Sequence, residues 1–127
     1  MATATFQGRV VFCTDVDATA LLYEQHLGFQ RMPGDDDGDV SLRAGVAGHP
    51  EASVEFLLHA SPGQPGTDLG NFAVEDVDAA VRELAAAGCT VTGQPNNAPW
   101  GVREATVADV DGNGLTLFAP LPTALPD

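Results

Sequence analysis

The tetrapeptide Asp-Val-Asp-Ala occurs twice in this chain of 127 residues, once starting at Asp15 and again at Asp76, an offset of 61 residues (76 − 15). Each copy follows a short apolar run and precedes a helical pattern that stops at a glycine, Gly28 in the first copy and Gly88 in the second. Because the flanking patterns repeat together with the tetrapeptide, the chain is predicted to contain two copies of one supersecondary unit.

Both copies of the tetrapeptide lead into the apolar spacing of an amphipathic helix. The apolar stripes are Val16, Ala20, Tyr23 and Leu27 in the first helix, and Val77, Val81 and Leu84 in the second. The aspartates stand at the helix starts, where a carboxylate accepts hydrogen bonds from free backbone N–H groups and favours the positive end of the helix dipole. A glycine after the last turn supplies the left-handed conformation that commonly ends a helix.

Strand-like segments separated by turn residues surround each helix. They are residues 10–13, 28–32, 40–44 and 53–60 in the first half, and 72–74, 90–92, 103–108 and 115–118 in the second. The fold class is therefore α+β, with a first βαβββ module at 6–60, a linker at 61–68, a second module at 69–120 and a tail at 121–127. Because halves of this size are too small to be stable alone, we expect one domain over 1–127 in which both sheets share a core or a curved wall.

Alternation along the strands predicts which side of each sheet faces its helix. The apolar set, expected against the helices, is Val11, Cys13, Val54, Phe56, Leu58, Phe72, Val74, Ala105, Val107, Leu115 and Leu117. The opposite set is Gly8, Val10, Phe12, Glu55, Leu57, His59, Leu69, Asn71, Ala73, Glu104, Thr106, Ala108, Thr116 and Phe118. A mixture of apolar and a few polar side chains is what a small-molecule cavity needs, so we expect the cavity on this second side.

The charge of the chain limits its partners. With five Arg, no Lys and 18 acidic residues, the formal net charge is −13. Such a surface repels polyanions, so neither nucleic acid nor an anionic membrane is an expected partner, whereas a cationic small molecule is compatible.

The remaining composition points to a cytoplasmic protein. Cys13 and Cys89 lie far apart in no metal-binding spacing, which indicates neither a zinc site nor a disulfide framework. The first residues lack the basic and apolar regions of a secretory signal, and no segment is long enough to span a bilayer.

Two segments resemble the vicinal oxygen chelate superfamily, which includes glyoxalase I, extradiol dioxygenases and the bleomycin resistance proteins. Residues 15–29, with Tyr23 and Leu-Gly-Phe at 27–29, are similar to the family's first helix. Pro-Trp-Gly-Val-Arg-Glu at 99–104, followed by Asp-Val-Asp-Gly-Asn at 109–113, is most similar to bleomycin resistance proteins. The resemblance covers residues 10–120 and implies two βαβββ modules that form curved mixed sheets around a cleft, usually in a homodimer.

The resemblance also places the family's metal-ligand positions, which correspond to Gly8, Glu55, Leu69 and Thr116. Glu55 is the one effective ligand among them, whereas a divalent ion needs about three or four protein ligands. The histidines His26, His49 and His59 do not complete the set, and His59 lies about 13 Å from Glu55 along the strand. We therefore expect neither a metal nor another cofactor.

A second metal motif is interpreted as a turn. Asp109, Asp111 and Asn113 match the opening of an EF-hand loop, but its twelfth position would be Pro120 instead of a bidentate glutamate. A hairpin turn before the last strand explains these residues better, and the acidic residues 35–39 are likewise interpreted as a solvated turn.

Two classes of function remain. The resemblance implies a noncatalytic homodimer that sequesters a small aromatic or cationic ligand, as in antibiotic resistance. Its candidate ligand-binding residues are Phe12, Glu55, Leu57, His59, Asn71, Trp100, Glu104, Thr116 and Phe118. The alternative is a metal-independent lyase, isomerase or hydrolase that uses Glu55 or His59 as a general base.

Several of these residues also have a purely structural interpretation. Glu55 could pair with Arg9, Arg43 or Arg103, and Trp100 could plug a sheet edge instead of stacking on a ligand. Arg103 and Glu104 are adjacent on one strand, so at most one of them lines the cavity.

Overall fold

The computed structural model describes residues 2–33, 38–61 and 63–122. In chain order the elements are β1 (Gly8–Cys13), α1 (Val16–Leu27), β2 (Gln30–Arg31), β3 (Val40–Val46), β4 (His49–Ala60), β5 (Asp68–Ala73), α2 (Val77–Ala86), β6 (Thr90–Asn97), β7 (Val102–Ala108) and β8 (Gly114–Pro120). The chain divides into two compact units between Thr67 and Asp68. Each unit holds one helix and one four-stranded mixed sheet, which confirms the predicted α+β repeat.

In the first unit the strand order is β1-β4-β3-β2, with β1 parallel to β4 and the other pairs antiparallel. The carboxylate of Asp15 accepts a hydrogen bond from the N–H of Ala18 at 3.0 Å, and the helix ends at Gly28 with φ 70°. The ring of Phe29 stacks between Tyr23 and Phe56, with centroids 5.6 and 5.5 Å away. The core of this unit is therefore the predicted apolar side of the sheet under α1.

The second unit repeats this plan with the order β5-β8-β7-β6. Asp76 caps α2 by accepting from the N–H of Ala79 at 3.0 Å, and Gly88 follows the helix with φ 108°. The buried residues of this unit include Val77, Val81, Leu84, Ala105, Val107, Leu115 and Leu117, which are the predicted helix stripe and sheet positions. Neither helix of the described chain has the length and apolar character that crossing a membrane requires.

Three strands extend four or five residues beyond a predicted boundary, and others differ from theirs by one or two residues. β4 begins at His49 instead of residue 53, because a two-residue turn at 47–48, with Gly48 at φ 77°, replaces the expected loop 45–50. β5 begins at Asp68, at the end of the predicted linker. β6 continues to Asn97 through Pro95, which is tolerated because β6 is an edge strand with an irregular register. Parts of the predicted loop (34–37), linker (62) and tail (123–127) lie outside the described residues.

One strand face differs from the prediction. Asp68 pairs with Gly114 and Asn71 pairs with Thr116, so three steps along β5 oppose two steps along β8. The extra residue, at Gly70 with φ 115°, reverses the alternation. Leu69 therefore lies on the core side of the strand and is 4% exposed. Regular alternation without a bulge had predicted it on the opposite face, together with Asn71.

Candidate functional site

The sheet face of the first unit that is turned away from α1 (the first open face) carries four of the nine candidate residues. Its strand register aligns Phe12 with His59, Val10 and Ser41 with Leu57, and Arg43 with Glu55. Phe12, Ser41, Arg43, Glu55 and Leu57 are partly or largely shielded from solvent, although their neighbours on each strand form the core. The structure thus brings Phe12, Glu55, Leu57 and His59 onto one surface.

Glu55 is held by two hydrogen bonds on this face. The hydroxyl of Ser41 donates to Oε2 at 2.6 Å, and the side-chain amide of Gln7 donates to Oε1 at 3.2 Å. These bonds, that of Ser41 first, lower the pKa of Glu55 together with the charge of Arg43, against the opposing effect of burial. The carboxylate is therefore ionised at neutral pH and fixed in orientation.

Of the arginines proposed as partners for Glu55, Arg43 is the one that acts on it electrostatically. Arg103 lies in the other unit, where its Nε and Nη2 donate to Asp78 at 2.6 and 2.9 Å. This contact holds the pKa of the Asp78 carboxyl below its usual value. Because Asp78 belongs to α2, the contact also places Arg103 on the helix side of its sheet. The adjacent Glu104 therefore lies on the opposite side.

His59 lies at the far end of the first open face from Glu55. Its Nδ1 is 2.7 Å from Oδ1 of Asp39, and the ring of Phe12 meets the imidazole edge-on at a centroid distance of 6.2 Å. The side chain of His59 is 49% exposed, and that of Asp39 is 25% exposed. Asp39, the last residue of the acidic segment that was predicted to be a solvated turn, therefore orients His59.

The positions that correspond to the family's metal ligands do not suit a metal ion. A Cβ atom at Gly8 would collide with the backbone oxygen of Glu55, so no side chain fits there without displacing a strand. Leu69 has an apolar side chain and takes the core phase of its strand, and both Glu55 oxygens already accept hydrogen bonds. Within 2–33, 38–61 and 63–122, no three His, Cys, Asp or Glu side chains are grouped to hold a metal ion.

The corresponding face of the second sheet (the second open face) holds the other predicted strand residues. Asn71 aligns with Thr116, Thr116 with Thr106, and Phe118 with both Ala73 and Glu104. The hydroxyl of Thr92 donates to that of Thr106 at 2.9 Å. This face therefore presents a row of neutral polar side chains beside an aromatic ring and a carboxylate.

Trp100 lies in an exposed turn between β6 and β7. The turn is closed by hydrogen bonds from the N–H of Ala98 to the carbonyl of Val102 at 2.8 Å and from that of Gly101 to the carbonyl of Ala98 at 3.2 Å. Gly101 has φ 90°, which an L residue rarely adopts. Because Trp100 is 68% exposed, it does not plug a sheet edge within this chain.

The EF-hand-like segment is a hairpin turn, as predicted. Oδ1 of Asp109 accepts from the N–H groups of Asp111 and Asn113 at 3.0 and 2.9 Å, and Oδ2 accepts from the Asn113 amide at 3.1 Å. Asp109 and Asn113 are 4% and 0% exposed. The carboxylate thus shapes the turn from inside it.

Sequence reasoning missed three residues of the first open face: Gln7, Ser41 and Asp39. A signal for Ser41 was present, because alternation through 40–44 places it on the polar side of β3. No local pattern pairs Asp39 with His59, which is 20 residues away along the chain.

Comparisons with known proteins agree with the fold described above. A model of the Glyoxalase/Bleomycin resistance protein/Dioxygenase superfamily matches residues 5–117. A family enzyme of that description from Burkholderia phytofirmans PsJN has a structure with a TM-score of 0.72 at 21% identity, covering 92% of this chain and 100% of its own. TnmS3, described as an antibiotic binding protein from Streptomyces sp. CB03234, is 27% identical with a TM-score of 0.65, covering 94% and 98%. A comparison with curated proteins finds no match.

Proposed function

The chain belongs to the glyoxalase/bleomycin resistance protein/dioxygenase superfamily, and within it we propose that the protein binds a small aromatic or cationic molecule without a metal and without converting it. The observation that carries this proposal is Glu55, an ionised carboxylate on a partly shielded face whose neighbours Val10 and Leu57 are apolar. The 27% identity to TnmS3, an antibiotic binding protein, supports the ligand class.

The first open face offers two kinds of interaction to such a ligand. A cation or a strong N–H donor would pair with Glu55, and charge-assisted hydrogen bonds of this kind are among the strongest available. An aromatic body would cover Leu57 and meet the ring of Phe12. Because Ser41 and Gln7 already orient the carboxylate, little side-chain freedom is lost on binding.

The second unit by itself offers groups of the same kinds, on Trp100 and on the second open face. An exposed indole is suited to stack on a planar or cationic molecule. Asn71 and Thr116 would hydrogen-bond its polar groups, and Phe118 and Glu104 would contact its apolar and cationic parts.

The proposal is tested by titrating the protein with bleomycin-type and other planar antibiotics while following the fluorescence of Trp100, the one tryptophan in the sequence. Glu55→Gln should weaken binding about ten- to hundredfold, because it removes a charged hydrogen-bonding partner. Glu51→Gln, an equal charge change at an exposed position of the same strand, is the matched control and should leave affinity unchanged. Calorimetry replaces fluorescence for Trp100→Ala, which we expect to weaken binding.

The absence of saturable binding across the panel, or equal affinity of Glu55→Gln and the unaltered protein, would refute the proposal. Sequestration predicts in addition that expressing the protein in a sensitive bacterium raises the inhibitory concentration of the bound antibiotic. The family resemblance leads us to propose a homodimer, which light scattering would measure directly.

The contact between Asp39 and His59 favours one form of the catalytic alternative. A histidine whose Nδ1 is held by a carboxylate is oriented as a general base requires, whereas a lowered pKa makes Glu55 a weak base. A metal-independent lyase, isomerase or hydrolase would thus use His59. Product formation by chelator-treated protein that His59→Ala abolishes would support it, and binding without product would exclude it for that compound.

A further inference from the structure

From the hydrogen bond between Asp39 and His59 we infer that His59 is a specificity-determining residue, which selects ligands that present a hydroxyl donor on an aromatic ring, that is, a phenol. This inference rests on the proposed function, because it assigns a ligand group to one end of the same open face. It adds a requirement that Glu55 and the apolar residues do not impose.

The donor and acceptor roles at His59 follow from its partner. An ionised carboxylate only accepts hydrogen bonds, so the 2.7 Å contact with Oδ1 of Asp39 requires the proton on Nδ1. In the neutral imidazole the other nitrogen, Nε2, then carries a lone pair and accepts. Among the described residues, the structure gives Nε2 no hydrogen-bond partner, and the side chain is 49% exposed.

The surroundings of His59 favour an aromatic carrier for that donor. Phe12 lies edge-on to the imidazole, with 74° between the ring planes, and forms an apolar wall beside it. Leu57, partly buried, is two residues from His59 on the same face of β4. An aliphatic alcohol would hydrogen-bond Nε2 without covering these apolar surfaces, whereas a phenol does both.

Both polar ends of the first open face require a hydrogen-bond donor from the ligand. Glu55 is ionised and accepts, and Nε2 of the neutral imidazole of His59 accepts. A ligand that offers acceptors at these two points, such as a methyl ether or a carboxylate, would leave lone pairs facing lone pairs. The first open face therefore discriminates by donor position as well as by charge.

The test uses 2-naphthol and its methyl ether, 2-methoxynaphthalene, in which a methyl group replaces the hydroxyl hydrogen and removes the donor. Nuclear magnetic resonance titrations should show 2-naphthol binding about three- to tenfold more tightly, the value of one net hydrogen bond. His59→Phe, which keeps a flat ring but removes the acceptor, should abolish this preference. His49→Ala, an exposed histidine at the start of the same strand, should preserve it.

The ring protonation is measured independently of any ligand. Nitrogen-15 spectra of the histidine side chains should show the proton on Nδ1 of neutral His59, and Asp39→Asn should shift the tautomer ratio. A proton on Nε2 in the unaltered protein, or equal affinity for the two naphthalenes, would overturn the inference. If antibiotics bind in a Glu55-dependent manner while the naphthalene preference is absent, the inference fails and the proposed function stands; if neither class of compound binds, both fail.

Discussion

Replacing Asp109 by alanine should strongly destabilise the second unit. Asp109 is 4% exposed, and its carboxylate accepts three hydrogen bonds inside the turn between β7 and β8. Two of these come from Asn113, which is 0% exposed, so water cannot replace the lost partner there. The two Asn113 donors would lose a buried acceptor, and removing one partner of a buried pair is the costly case for a hydrogen bond.

The magnitude follows from those two bonds. A hydrogen bond to a charged group contributes about 1.5–3 kcal/mol, so losing both bonds to Asn113 should lower the free energy of unfolding by about 3–6 kcal/mol. The third bond, to the N–H of partly exposed Asp111, adds little because water can take its place. At a urea dependence of about 2 kcal/mol per molar, the midpoint should fall by about 2 M.

Urea denaturation followed by circular dichroism measures this shift. Asp17→Ala is the matched control, because its side chain is 82% exposed and it should move the midpoint by about 0.3 M or less. Asp109→Asn should be intermediate, since an amide oxygen can still accept from the backbone N–H of Asn113. If Asp109→Ala and Asp17→Ala unfold at the same urea concentration, the buried hydrogen bonds do not stabilise the turn as argued.

Three further predictions follow from the same structure. Gly8→Ala should lower the free energy of unfolding by about 1–3 kcal/mol, because its Cβ would meet the backbone oxygen of Glu55. The control is Gly45→Ala, whose Cβ meets nothing within 4 Å and which should change the free energy of unfolding by about 0.5 kcal/mol or less. Equal thermal midpoints of the two variants would contradict this. The pKa of Glu55 is lower in the folded than in the unfolded chain, so its stabilising contribution is present above the unfolded pKa and is lost as pH falls through the folded pKa. Ser41→Ala should raise the pKa of Glu55, which a carbon-13 titration measures. An unchanged pKa would count against the Ser41 contact. Burial raises the pKa of the Cys89 thiol, so a disulfide reagent at pH 8 should label it only after unfolding, and rapid labelling of the folded protein would disprove its shielding.

The fold was predictable because its signals are local. The helix caps and the period-two alternation each depend on residues a few positions apart, and they occur in both copies of the repeat. The structure contains both capped helices and both four-stranded sheets. The departure at Leu69 has a local cause that sequence does not reveal. A bulge at Gly70 adds one residue to β5, and whether a glycine lies in a regular strand or in a bulge depends on the partner strand.

The candidate site was predictable only in part. Alternation placed Phe12, Glu55, Leu57 and His59 on one side of their strands, and the register of β1 and β4 brings them onto one face. The hydrogen-bonded partners of Glu55 and His59 were not identified. Ser41 on β3 and Asp39 just before it are 14 and 20 residues from their partners, and Gln7, just before β1, is 48 residues from Glu55.

The sequence by itself determined the repeat. It also determined the helix boundaries and the chemical character of the strand faces, except at Leu69, because those properties follow from backbone geometry over one or two turns. Tertiary structure alone decided that Ser41 holds Glu55, that Asp39 orients His59 and that Arg103 binds Asp78 instead of a candidate ligand residue. The physical reason is that strand register is set by nonlocal pairing, and a shift of one residue exchanges the two faces of a strand.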